Sequence, residues 1–235
     1  MSKGAANSIS CTFLVLLPLA LSVRMIAAEA DAQRLNASAQ VLTEIMAASD
    51  KSIPIDLFHK AYCVVVIPGM KKAGFMFSGK YGRGFASCRN PEGAGWTAPA
   101  AMRIEGGGFG LQAGGSETDV IMLVMSQKGM KGILASKFTV GGEASVAAGP
   151  VGREGTAQTD ASLHADILSW SRSKGAFAGI SLQGATLRAD TEANKVLYGQ
   201  DESNTDILTG KVKPPSDAST FLDDLTKYGG ESRGA

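Results

Sequence analysis

Histidine and cysteine are scarce in this 235-residue chain: two of the first and three of the second. The two imidazoles, His59 and His164, have no G-x-S-x-G elbow to serve, so no nucleophile–base pair is expected and no catalytic residue is assigned. Two histidines and a few cysteines at scattered positions also lack zinc-ligand spacing, so neither a metal nor a cofactor is expected. Glu105, Asp119 and Glu143 are acids without a motif around them. An excess of charge of one sign is missing too. The chain has 23 Lys and Arg against 22 Asp and Glu, which leaves no footprint for nucleic acid. No apolar run reaches the ~20 residues that a spanning helix needs. Without a break in composition, one domain is expected.

What is present begins with TFLVLLPLALSV at 12–23, preceded by Lys3 and followed by Ala28-Glu29-Ala30. A short apolar core before a small-x-small tripeptide reads as a signal peptide over 1–30. The alternative is a retained membrane anchor. Cys11 precedes the apolar run, so it is not placed for lipid attachment. Cleavage after Ala30 predicts export, to a periplasmic or secreted and membrane-associated location. Removing Lys3, Arg24 and Glu29 leaves 21 basic and 21 acidic residues, a neutral mature chain. Its two cysteines, Cys63 and Cys88, can form one bridge in an oxidising compartment or remain two buried thiols. The domain is expected over 31–230 and a disordered tail over 231–235.

Residues 31–50 place Leu35, Ala39, Leu42, Ile45 and Met46 on one helical face. The polar face lacks the Lys/Arg richness of a membrane-surface helix, so this amphipathic helix is expected to pack on the domain. Pro54 opens a short second helix to Ala61. From Tyr62 the pattern changes to YCVVVIP, a buried strand stopped by Pro68-Gly69. Of 29 glycines, 23 fall between Gly69 and Gly184. Glycine at that density within strand-like segments implies bulges and close backbone approach. Further strands are expected at 74–88, 98–105, 107–114, 118–126, 138–148, 163–171 and 176–190, with a short helix at 127–136. Three short helices follow at 191–198, 203–208 and 216–228, the first capped by Asp190 or Thr191 and the last by Ser216. The fold class is therefore α+β: a strongly bent, glycine-rich, mainly antiparallel and barrel-like sheet, an N-terminal amphipathic helix and short C-terminal helices.

GGGFGLQAGG at 106–115 contains a G-x-G-x-x-A, but strand-like residues follow it where a nucleotide site needs a helix. No lysine sits in a GxxxxGK[ST] loop. Basic residues in turn-like contexts remain: Lys71, Lys72, Lys80, Arg83, Arg172 and Lys174. Beside glycine, they can present charge and backbone N–H groups to anionic headgroups, or be ordinary solvated turn residues. Trp96, in WTAPA, is expected to anchor its loop on the sheet.

Several of these segments resemble the SYLF domain family. They are VVIPGMKKAGF (65–75), GKYGRG (79–84), WTAPA (96–100), VGGEASVAAGPVGR (140–153) and SRSKGAFAGISLQGA (171–185). Asn194 with Tyr198-Gly199 matches its N-x-x-Y-Y-G pattern, with Leu197 in place of the first tyrosine. The resemblance covers about Leu35 to Leu225. It implies a non-enzymatic domain that binds phospholipid, with phosphoinositides preferred by eukaryotic members. Actin enters as a partner only through this resemblance, from fungal members that bind and bundle it. The expected function is binding an anionic phospholipid membrane in the cell envelope. The alternatives are a scaffold for another envelope protein and a hydrolase with an unrecognised site.

Overall fold

The computed structural model describes residues 13–48, 52–74, 77–109, 114–151, 164–173, 176–180 and 182–233. Helix α1 runs Phe13–Ala47 without a break at Ala30. Its Leu35, Leu42 and Ile45 are fully buried, as the sequence periodicity predicts. Among the described residues, no helix is long and apolar enough to cross a membrane. Helix α2 is Ile55–Lys60, with Pro54 one residue ahead of the first turn.

Among the described residues the sheet has nine strands. These are β1 Cys63–Gly74, β2 Phe77–Cys88, β3 Ala100–Phe109, β4 Gly114–Val124, β5 Lys137–Thr139, β6 Val146–Ala148, β7 Ile167–Ser173, β8 Ala176–Gly179 and β9 Thr186–Ala189. The strands expected at 98–105 and 107–114 are in fact one, β3, because the triple glycine at 106–108 pairs straight through against β2. The single strands expected at 138–148 and 176–190 each divide into two: the chain turns at 141–143 and again at 183–184.

Strand order is β5-β9-β3-β2-β1-β4-β7-β6, with β8 also on β7. Every pairing is antiparallel except β6 with β7. The two ends of this order, β5 and β6, are joined only by residues 140–145. Eight flat strands ~4.8 Å apart would put their ends ~34 Å from each other. The linker can reach only ~25 Å. The sheet therefore curls back on itself into a half-barrel.

Two features of β1 and β2 allow that curl. Pro68 offers no N–H, and the β1 register slips on both sides of Pro68-Gly69. Gly69 takes φ +57° in this bulge, and its N–H donates to the Asp119 carboxylate at 2.8 Å. On β2, a Cβ at Gly84 would lie 1.9 Å from the Val66 carbonyl oxygen, so only glycine fits where the strands draw together.

The curl separates two apolar cores. The inner one gathers Cys63, Val65, Ile67, Met102, Ile104, Met122 and Leu187, with Ile133 of helix α3 (Gln127–Leu134) and Ile207 of helix α5 (Asn204–Leu208). Cys63 and Cys88, cross-strand neighbours there, are joined as a disulfide. The outer core packs α1 and α2 on Val64, Val66, Phe85, Leu123 and Trp170, together with Ala193 of helix α4 (Thr191–Tyr198) and Phe221 of helix α6 (Ser219–Gly229). Asp190 caps α4 through the Ala193 N–H. Ser216 caps nothing: it opens a 3-10 turn, Ser216–Ala218, ahead of α6. In the segment expected as a tail, the Glu231 carbonyl accepts the Gly95 N–H and Arg233 lies over the Tyr62 ring.

Candidate functional site

The sequence singles out six basic residues, and the fold distributes them. Side chains alternate across a strand, so Lys72 and Lys80, opposite each other on β1 and β2, face the inside of the half-barrel with Met70. Lys71 and its partner Tyr81 face outward, and both are exposed. The distal arms of β1 and β2 thus carry three lysines on two faces. Glu117 of β4 lies across from Lys71.

Arg83 and Arg172 belong to the framework. Arg83 faces the outer core, and its Nε meets the buried Asp190 carboxylate at 2.5 Å. Burial works against the Arg83 charge, but the bond and charge of Asp190 more than offset it and raise its pKa. The arginine thereby ties β2 to the cap of α4. Arg172 binds Asp119 at 2.6 Å and also pairs with Glu44 of α1, so it pins the helix to the sheet. A membrane would have to break these pairs to use either guanidinium. Lys174 lies outside the described residues.

A cavity of about 420 Å³ opens at the mouth of the half-barrel. Met70, Ile180 and Leu182 form its apolar floor, and Lys72, Lys80, Ser78, Thr118, Ser171 and Gln183 its polar wall. Gly106 stands opposite Lys80, where a Cβ would sit 2.4 Å from the lysine Cε. The bare backbone lets the Lys80 stem lie flat along β3. Burial, then the neighbouring Lys72 charge, pushes the Lys80 pKa below the ordinary lysine value. No carboxylate pairs with Lys80 among the described residues.

Sequence reasoning missed Thr118, Ser171 and Gln183. One signal was present: Ser169 and Ser171 alternate with Leu168 and Trp170, which places hydroxyls on the inner face of a buried strand. Among the described residues, no three His, Cys, Asp or Glu side chains gather as a metal site. His59 lies in the last turn of α2, and His164 sits exposed in a turn before β7.

The sequence segments that carry the family resemblance are largely the ones that hold this fold together. The Asn194 amide oxygen accepts the Ala101 N–H at 2.7 Å, and its nitrogen donates to Asn204 at 2.5 Å. The Tyr198 hydroxyl donates to the Pro99 carbonyl at 2.7 Å. The N-x-x-L-Y-G and WTAPA stretches therefore dock the C-terminal helices on β3. Residues 105–228 match the family described as Ysc84, Las17-binding protein actin regulator.

The chain belongs to the Ysc84 (SYLF) family. It is 37% identical over 172 residues to LAS seventeen-binding protein 3 of Saccharomyces cerevisiae, covering 71% of this chain and 37% of that one. It is 36% identical over 179 residues to the same yeast's protein YSC84, covering 74% and 37%. With SH3 domain-containing YSC84-like protein 1 of Rattus norvegicus it shares 33% over 180 residues, covering 76% and 52%. This Ysc84-family chain thus spans about a third to a half of the length of these curated relatives. The name of the first describes binding to LAS seventeen, and actin regulation enters through the description of the matched family.

Proposed function

We propose that this Ysc84-family chain is a non-enzymatic domain that docks on anionic phospholipid membranes after export to an oxidising compartment. The lysine-bearing arm of β1 and β2 carries the reading. Lys71, Lys72 and Lys80 lie within two adjacent register pairs, in a protein whose charge is otherwise balanced. Each Lys near an anionic surface contributes ~1 kcal/mol. Three give roughly 3 kcal/mol, offset in part by Glu117, which corresponds to millimolar or weaker docking that salt suppresses. The reading of the first 30 residues as a leader and the Cys63–Cys88 bridge support the compartment, since such bridges persist outside reducing cytosol.

The test is co-sedimentation with phosphatidylcholine vesicles, with and without an anionic lipid, across a salt series. The parent should bind the anionic vesicles and lose them as salt rises. The Lys71→Ala/Lys72→Ala/Lys80→Ala variant should bind neither. Equal binding by a folded variant would sink the proposal. A second reading follows from the description of the matched family: residues 105–228 present a surface for a protein partner of the actin-regulating machinery. Co-sedimentation with actin filaments, without lipid, tests it. The export proposal predicts a mature protein that begins at Asp31 when purified from its native host.

A further inference from the structure

Four cations stand side by side across four neighbouring strands. Arg83 of β2 lies opposite Arg103 of β3, Arg103 opposite Arg188 of β9, and Arg188 opposite Lys137 of the edge strand β5. Met102, Ile104, Leu187 and Phe138 belong to the inner core, so the residues that alternate with them, Arg103, Arg188 and Lys137, face outward. Asp190 takes up Arg83. Glu105 serves the rest of the row: its two oxygens lie 3.1 Å from the Arg103 Nε and 3.3 Å from the Arg188 Nε. Neither Nε makes a hydrogen bond, so the contact is one of charge alone. Among the described residues, no other carboxylate lies in ion-pair distance of Arg103, Arg188 or Lys137. The next acid, Glu143, accepts the Thr139 N–H at 3.3 Å on the neighbouring row. Like charges directly opposite each other weaken a sheet. Here three of them share one carboxylate, with both arginines more than a third exposed and Lys137 exposed.

We infer that this row docks an extended acidic segment of a protein partner, with carboxylates at alternate positions. The inference goes beyond the membrane-docking proposal and does not rest on it, since it uses none of Lys71, Lys72 and Lys80. Charge complementarity and spacing decide the partner. Guanidinium forks pair bidentately with carboxylates. Strands lie ~4.8 Å apart, so Arg103 to Lys137 spans ~10 Å. Alternate side chains of an extended chain point the same way, ~6.8 Å apart. A Glu-x-Glu segment crossing the strands therefore brings one carboxylate over the two arginines and the next within reach of the flexible lysine. The adjacent row supplies uncharged contacts: Tyr81 lies opposite Glu105, Glu105 opposite Thr186, and Thr186 opposite Thr139. Tyr81 is 49% exposed. Arginine and tyrosine are the side chains enriched at the centres of protein interfaces. Forks held in register on a rigid sheet suit a partner with fixed spacing, which the headgroups of a fluid bilayer lack.

Fluorescence anisotropy with a dye-labelled peptide of Glu-Thr repeats, beside its Gln-Thr counterpart, tests the inference. The parent should bind the Glu peptide about tenfold more tightly than the Gln peptide at low salt, and the difference should shrink as salt rises. The Arg103→Gln/Lys137→Gln/Arg188→Gln variant should bind the Glu peptide about tenfold more weakly, as three lost ion pairs imply. Glu105→Gln removes the competing carboxylate and should tighten binding about threefold, a gain that a poorly folded variant does not produce. This variant carries the test if the triple one fails to fold. Co-sedimentation with phosphatidylcholine vesicles containing phosphatidylserine should be the same for the parent and the triple variant. If both peptides bind alike, if the folded triple variant binds as the parent does, or if Glu105→Gln weakens binding, the inference is overturned. If the parent ignores the Glu peptide while the triple variant loses the vesicles, the row is a membrane contact and the acidic partner is refuted.

Discussion

Replacing Arg89 by methionine removes a cation that closes two helices at once. The guanidinium follows β2 and lies 4.0 Å over the Trp96 ring. It donates to the Gly230 and Gly229 carbonyls at 2.5 and 2.6 Å, at the end of α6. Longer contacts of 3.3 to 3.5 Å reach His59, Ala61 and Phe58, at the end of α2. Helix C-termini leave carbonyls unpaired and carry partial negative charge, so one planar cation satisfies both ends. Burial, then the charge of Arg233, pushes the Arg89 pKa down to about 10, which leaves it a cation at neutral pH. Two short charged bonds at ~1.5–3 kcal/mol each predict a loss of about 3–6 kcal/mol in Arg89→Met. Lysine cannot fork to both helices, so Arg89→Lys should recover only part of it. Trp96 packs edge-on to Phe58 at 6.2 Å and is 9% exposed, so Trp96→Ala should cost a similar ~3–5 kcal/mol. Urea unfolding at pH 7 of the parent, both single variants and the double variant measures each loss. The cation–ring contact should appear as a coupling of ~1 kcal/mol. An Arg89→Met variant within ~0.5 kcal/mol of the parent would refute the reasoning, since that is the range of ordinary surface changes.

Three further outcomes follow from the framework. The Cys63–Cys88 bridge closes a loop of sequence separation 25, so a Cys63→Ala/Cys88→Ala variant should lose about 3 kcal/mol in urea unfolding; a loss under ~1 kcal/mol would count against the bridge. Gly84→Ala drives a Cβ into the Val66 carbonyl, backbone that cannot swing aside, and should cost ~3 kcal/mol or prevent folding, whereas an unchanged melting temperature would show that the strands separate easily. Burial opposes the Asp166 charge, but donors from Ser126 and Ser145, with Lys128 nearby, outweigh it and hold the carboxyl below its ordinary 3.8. With the folded value depressed, the unfolded chain binds more protons in that window, so the contribution is full above about pH 4 and lost as pH falls through the folded value. The stability gap between parent and Asp166→Asn, followed by thermal melts from pH 7 downward, should shrink only below that point; a gap that is constant with pH contradicts it.

Much of the fold is legible because its signals are local. Val64, Val65, Val66 and Ile67 mark β1, Pro68-Gly69 marks its bulge, and Asp190 ahead of α4 marks a cap. The errors have local causes as well. Gly106-Gly107-Gly108 looks like a strand break, yet it pairs residue by residue with Lys80, Gly79 and Ser78 of β2. Ser216 looks like a cap, but Pro215 ahead of it leads into a 3-10 turn.

The candidate site was legible only in half. The sequence by itself determined that the chain is charge-balanced, glycine-rich through its middle, and basic at Lys71, Lys72 and Lys80, because composition and neighbours along the chain are local facts. It could not determine which cations the framework takes up. Arg83 finds Asp190 at 107 residues' distance, and Arg172 finds Asp119 at 53, so both become framework through contacts that no local pattern encodes. The same holds for the barrel mouth. Lys80, marked by its charge, and Thr118, Ser171 and Gln183, marked by nothing, lie on separate elements until the sheet curls far enough for residues 140–145 to join its ends. The tertiary structure alone turns them into one cavity, because closing a sheet is a property of all its strands together.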